Sequence, residues 1–147
     1  MNDTRILPQK IDAFFRSYAS AFEQLNAESI ADHFTYPSHI TSAAAEVGLL
    51  QLTSRDDCLG AVRLVVEAHR MLGTPSFTIS CLQFVKLGEK VVQAHLRIDV
   101  ELPGEPLYDF EAIYSLVETN DEWRIASIAH NQIPRLQACV TRAREVR

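Results

Sequence analysis

Apolar positions follow two rhythms along this chain, and the change comes at Pro75. Before it the period is helical. Ile11, Phe14, Phe15, Tyr18, Phe22 and Leu25 fall on one face of a first helix, the spacing of an element that packs on a core. Pro8 suits the first turn of that helix. Asn26 can cap a short second helix carrying Ile30 and Phe34 on one face, and Pro37 stops it, so the chain leaves the helix at Tyr36. Residues 43–53 read as a short strand or an extended loop. Ser54 followed by Asp57 resembles a capping box. Leu59, Val62, Val66 and His69 then mark a third helix that Gly73 and Pro75 end.

After Pro75 the period drops to two. FTISCLQFVKL, VVQAHLRIDVEL, LYDFEAIYSLVE and WRIASIAHNQI are four strand-like runs. Gly88-Glu89-Lys90, Pro103-Gly104-Glu105-Pro106 and Asn120-Asp121-Glu122 separate them, each with hairpin turn chemistry. The pattern predicts an antiparallel meander. Pro134 then opens a C-terminal helical tail over 134–147, with Leu136, Cys139, Val140 and Ala143 on one face. Helices first and a hairpin-linked sheet afterwards give an α+β order within a single domain, 1–147. A twisted sheet of this kind can curl around the first helix and enclose a pocket.

Composition narrows the function classes. The formal charge is −5 over 147 residues, and no basic face of the kind nucleic acid requires is evident. Arg135, Arg142, Arg144 and Arg147 gather at the end of the chain, where they complement a helix dipole. Cys58, Cys81 and Cys139 lack metal-type spacing and read as buried free thiols in a reducing compartment. There is no apolar signal core at the N-terminus and no run long enough to span a membrane. The expectation is a cytoplasmic protein with no nucleic-acid or membrane partner. The five histidines show no zinc-type pairing, and there is no phosphate-binding loop, so no metal and no cofactor are expected.

The aromatic first helix FFRSYASAFEQLN, the short second helix ending in His33-Phe34, and the late pair YSLVETNDEWRIASI resemble the nuclear transport factor 2-like, or SnoaL-like, superfamily across roughly residues 8–133. That resemblance implies a cone-shaped α+β barrel, a deep pocket and a homodimer formed through the sheet. Its members include ketosteroid isomerase, limonene epoxide hydrolase, polyketide cyclases and non-catalytic modules, so fold alone does not assign function.

The resemblance nominates two teams. An isomerase needs a carboxylate base beside a tyrosine hydrogen-bond donor. Tyr18 falls where the family's tyrosine lies, but the base position falls near Ser42, and no carboxylate occurs between Asp32 and Glu46. His39, within HFTYPSHITSA, is the candidate replacement, with Tyr36 beside it at the pocket mouth. An epoxide hydrolase carries Arg-x-Asp on a strand, which fits Arg97 and Asp99, and the matching register puts His130 near the second acid. Phe14, Phe22, Tyr36 and Tyr114 are the candidate ligand contacts. The alternation also offers an ordinary account of Arg97 and Asp99. Gln93, His95, Arg97, Asp99 and Glu101 form one polar row, and Ala94, Leu96, Ile98, Val100 and Leu102 one apolar row, as on a sheet with one wet face. His33 is expected to be exposed or to cap a carbonyl. The sequence thus predicts a pocket protein for a small, largely apolar metabolite. If it is an enzyme, its chemistry is cofactor-free acid–base hydrolysis, isomerisation, dehydration or cyclisation. The alternative is a non-catalytic module that binds a ligand, or a protein through the sheet.

Overall fold

The computed structural model describes residues 6–145; Arg147 lies outside them. Helix α1 (Gln9–Glu23) starts after Pro8 and buries Ile11, Phe15, Tyr18 and Ala21. Helix α2 (Ala27–Ala31) is one short turn, capped by the Asn26 side chain, which accepts from the Ser29 amide at 3.1 Å. Strands β1 (Phe34–Ser42) and β2 (Gly48–Leu52) pair antiparallel, and α3 (Arg55–Leu72) follows. The capping box at Ser54 is complete: its side chain accepts from the Asp57 amide, and the Asp57 carboxylate accepts from the Ser54 amide. Gly73 ends α3 at φ 129°, a value that favours glycine.

Strands β3 (Ser76–Lys86), β4 (Val91–Leu102), β5 (Glu105–Thr119) and β6 (Glu122–His130) form the expected meander, each antiparallel to the next. Asn120 and Asp121 both take positive φ between β5 and β6, the backbone of a type I′ hairpin. The six strands run in the order β2-β1-β6-β5-β4-β3, and β1 pairs parallel to β6. The sheet does not close on itself. Register shifts in β1, β3 and at two places along β5 bend it into a cone. Helix α4 (Gln132–Glu145) starts two residues after β6 and packs on β5. No described helix is long and apolar enough to cross a membrane.

The inner face carries Leu96, Ile98, Phe110, Tyr114, Leu116 and Ile128, packed against α1 and α3. Two tethers set the helices on the sheet. The Arg55 guanidinium reaches Glu28 at 2.7 Å and Asp32 at 2.9 Å, joining α3 to α2. The Glu23 carboxylate accepts from the Phe77 amide at 2.9 Å, joining α1 to β3.

One departure from the sequence reading lies at the second helix. It ends at Ala31, and Phe34 already begins β1, so Tyr36 and Pro37 lie within a strand. On that strand Ser38 is fully buried, and its hydroxyl has no hydrogen-bond partner among the described residues. A buried hydroxyl left unpaired costs roughly 1–3 kcal/mol. Ser38→Ala should therefore stabilise the fold by about 1 kcal/mol. Urea unfolding would report it as a higher midpoint at unchanged slope; an unchanged or lower midpoint would refute it.

Candidate functional site

The cone encloses a cavity of about 390 Å³, within the range of small-molecule sites. Phe15, Tyr18 and Phe22 on α1 form its floor, and Leu96, Ile98, Phe110 and Tyr114 its sheet wall. Leu49, Leu50 and Leu64 rim its mouth, which explains why these leucines stay exposed. None of the lining residues is Asp, Glu, Lys or Arg.

Its polar atoms sit at two places. Tyr18 and Tyr114 meet edge to face with ring centroids 5.9 Å apart. Among the described residues neither hydroxyl has a hydrogen-bond partner, although both rings line the cavity. Burial raises the pKa of both, and the neighbouring Tyr114 raises that of Tyr18 further, so both remain neutral donors. The second place is the start of α4, where His130, Gln132 and Ser42 line the wall. The Gln132 backbone N–H donates to His130 Nδ1 at 3.1 Å. That bond leaves the imidazole proton on Nε2. Burial lowers the His130 pKa, which keeps the ring neutral. His130 lies opposite Ala112 and Ile128 opposite Tyr114, so His130 and Tyr114 are diagonal neighbours on one face, roughly 7–8 Å apart at the backbone.

The nominated residues separate on this geometry. Tyr18, Phe22, Tyr114 and His130 line the cavity; Phe14, Tyr36, His39, Arg97 and Asp99 do not. Phe14 stacks behind Tyr18 at 6.3 Å. The Tyr36 hydroxyl is used within the fold, donating to the Ala31 carbonyl at 2.8 Å. His39 is exposed, because β1 turns Ile40 and Ser42 inward and so turns His39 out. It therefore stands outside the cavity lining. Arg97 and Asp99 occupy the outer face, since the apolar row of β4 takes the core. There Arg97 bridges two carboxylates that face each other across β4 and β5, Asp99 at 3.2 Å and Asp109 at 3.0 Å. Arg135 of α4 reaches Asp109 from the far side at 3.1 Å. This is an ordinary surface charge ladder, and the team of Arg97, Asp99 and His130 is never assembled.

His33 caps a carbonyl: Nδ1 donates to Ser29 O at 2.7 Å, and Nε2 lies 2.9 Å from the Ser17 hydroxyl. The sequence did not single out Gln132, Tyr108 or the hydrogen-bonding role of His69. His69 is fully buried behind the cavity and bonds the Tyr108 hydroxyl at 2.8 Å, which in turn meets Gln132 Nε2 at 3.1 Å. A histidine on the apolar face of the third helix was the one available signal.

A family model described as NTF2-like protein (DUF6841) matches residues 9–132. No curated protein matches the sequence. Solved structures do. A ketosteroid isomerase-like protein from Erwinia carotovora atroseptica is 11% identical with a TM-score of 0.61, over 83% of this chain and 92% of that one. An NTF-2 like protein of unknown function from Shewanella oneidensis is 13% identical with a TM-score of 0.64, over 83% and 96%. The yeast UBP3-associated protein BRE5 is 12% identical with a TM-score of 0.63, over 83% and 92%. At these identities the likeness is one of fold.

Proposed function

For this chain, which belongs to the NTF2-like family, we propose the role of a binding protein for a small, neutral, largely apolar molecule held in the cone. The observation that carries this reading is an open cavity of about 390 Å³ with no charged residue in its lining. A charged ligand would lose its hydration there and meet no counter-charge, a penalty of several kcal/mol. A neutral apolar ligand is favoured by roughly 25 cal/mol for each Å² it buries.

The cavity's polar groups also favour binding over proton abstraction. Tyr18, Tyr114 and His130 Nε2 present hydrogens, not lone pairs poised as bases, and the His130 lone pair on Nδ1 is taken by Gln132. Donors without a base can hold a carbonyl or ether oxygen but cannot deprotonate its neighbour. The alternative, an interaction module using the outer sheet face, draws less support. The charges of that face are already paired among themselves, Arg97 with Asp99 and Asp109, and His95 with Glu111.

Ethylnaphthalene is a suitable probe, apolar and small enough for the cavity. The folded protein should bind it saturably, and Ala61→Trp, which places an indole in the cavity from α3, should weaken binding at least about tenfold. Circular dichroism would verify that the variant is folded. Absence of saturable binding, or equal binding by A61W, would refute the reading.

A further inference from the structure

The relay behind the cavity fixes which atoms the α4 end presents. His69 Nδ1 lies 3.0 Å from the Val65 carbonyl. A carbonyl only accepts, so Nδ1 carries the proton. The buried ring is neutral, since burial lowers its pKa, and Nε2 is therefore a lone pair. The Tyr108 hydroxyl, 2.8 Å away, must donate to it. The Tyr108 oxygen is then left to accept, and it does so from Gln132 Nε2 at 3.1 Å. Each bond forces the next, and together they set the orientation of the Gln132 amide. Its NH2 faces Tyr108, and its Oε1 has no partner among the described residues. The Gln132 backbone independently fixes the His130 proton on Nε2. Two neighbouring wall residues thus offer one acceptor and one donor, both neutral.

We propose that this pair reads a head group bearing a donor and an acceptor on one carbon, a primary carboxamide or a lactam. Gln132 Oε1 accepts its N–H, and His130 Nε2–H donates to its carbonyl oxygen. The apolar remainder fills the space between α1 and the sheet. A carboxylate head presents two acceptors and a charge, so one oxygen faces Gln132 Oε1 and no cation lines the wall to compensate. A ketone or ester satisfies His130 and leaves Gln132 unpaired. His69 and Tyr108 are positioning residues, because they act on the ligand only through the Gln132 amide. The inference rests on the binding reading above and adds the head group to it.

Three probes that share one ring system separate the two claims: naphthaleneacetamide, naphthaleneacetate and ethylnaphthalene, titrated by calorimetry at neutral pH. The amide should bind about tenfold more tightly than either of the others, the gain of one well-placed hydrogen bond. Gln132→Leu should remove that gain, bringing the amide down to the affinity of ethylnaphthalene measured in the same variant. Tyr108→Phe frees the Gln132 amide to turn, and the amide-to-carboxylate ratio should fall several-fold while ethylnaphthalene still binds. Equal affinity for amide and carboxylate in the native protein would overturn the head-group assignment but leave the pocket standing, as would an undiminished amide affinity in Q132L. If ethylnaphthalene and both other probes fail to bind the folded protein, the binding reading falls and this inference with it.

Discussion

Phe15→Ala should cost roughly 3–5 kcal/mol of folding stability, the high end for a single core truncation. Phe15 is 2% exposed and is among the largest side chains in the core. Its ring meets Phe14 at 5.4 Å and Tyr114 at 5.1 Å, both edge to face, contacts worth about 0.5–1.5 kcal/mol each beyond burial. Its location raises the cost further. The ring borders the cavity, so truncation enlarges an existing space instead of opening one that neighbours can close. In a chain of this length each kcal/mol moves Tm by about 2–4 °C, and a drop of roughly 10 °C is expected. Phe14, only partly buried beside it, should give a clearly smaller loss when truncated. The comparison is made by thermal unfolding of both variants without ligand. Equal losses for the two would mean that Phe15 does not link the helix to the sheet as described.

The same residue shows how far the sequence could be read. The first helix was legible because six apolar residues keep one period, and β3–β6 because alternation and turn residues are local signals. Pairing of β1 with β6 was not legible, since parallel strands leave no turn between them to mark the partnership. That omission moved His39. Its exposure depends on which residues of β1 face inward, and a shift of one residue reverses every side chain. Arg97 and Asp99 were readable either way, as a motif or as a polar row, and the row decided it because Leu96 and Ile98 needed the core. Gln132 had no signature at all. An uncharged amide at a strand end gains meaning only when a distant helix places His69 behind it. Chemistry assembled from single residues on α3, β5 and α4 leaves no spacing to recognise.

His69 is the basis of the second large effect, which depends on pH. The ring is fully buried, stacked on Tyr108 at 5.9 Å and edge-on to Phe77 at 5.8 Å, and both nitrogens are engaged. Burial holds its pKa below the ordinary histidine value, as it does for His33 and His130. An unfolded chain titrates its histidines near pH 6.5. Above that value both states are neutral and the stability from these groups is fully present. As pH falls from there towards the lowered folded value, the unfolded chain takes up protons that the folded chain refuses. Stability is then lost by at most about 1.4 kcal/mol per pH unit for each histidine. His69→Ala removes a packed ring and the acceptor of the Tyr108 hydrogen, so at about pH 8 it should cost about 3 kcal/mol. The deficit should shrink towards about pH 5, because the native protein alone pays to keep His69 neutral. Urea unfolding of both proteins across that range gives the gap directly, and a gap independent of pH would sink the account. Protonation would also act on the cavity. A proton on Nε2 leaves the Tyr108 hydrogen without its acceptor, so the relay that orients Gln132 fails only once the pH reaches the lowered folded value, below the range in which stability is lost. In the native protein, the preference for a carboxamide head should therefore hold while stability falls and weaken only at lower pH, where the folded ring takes up its proton, while ethylnaphthalene binding to the protein that remains folded should not weaken.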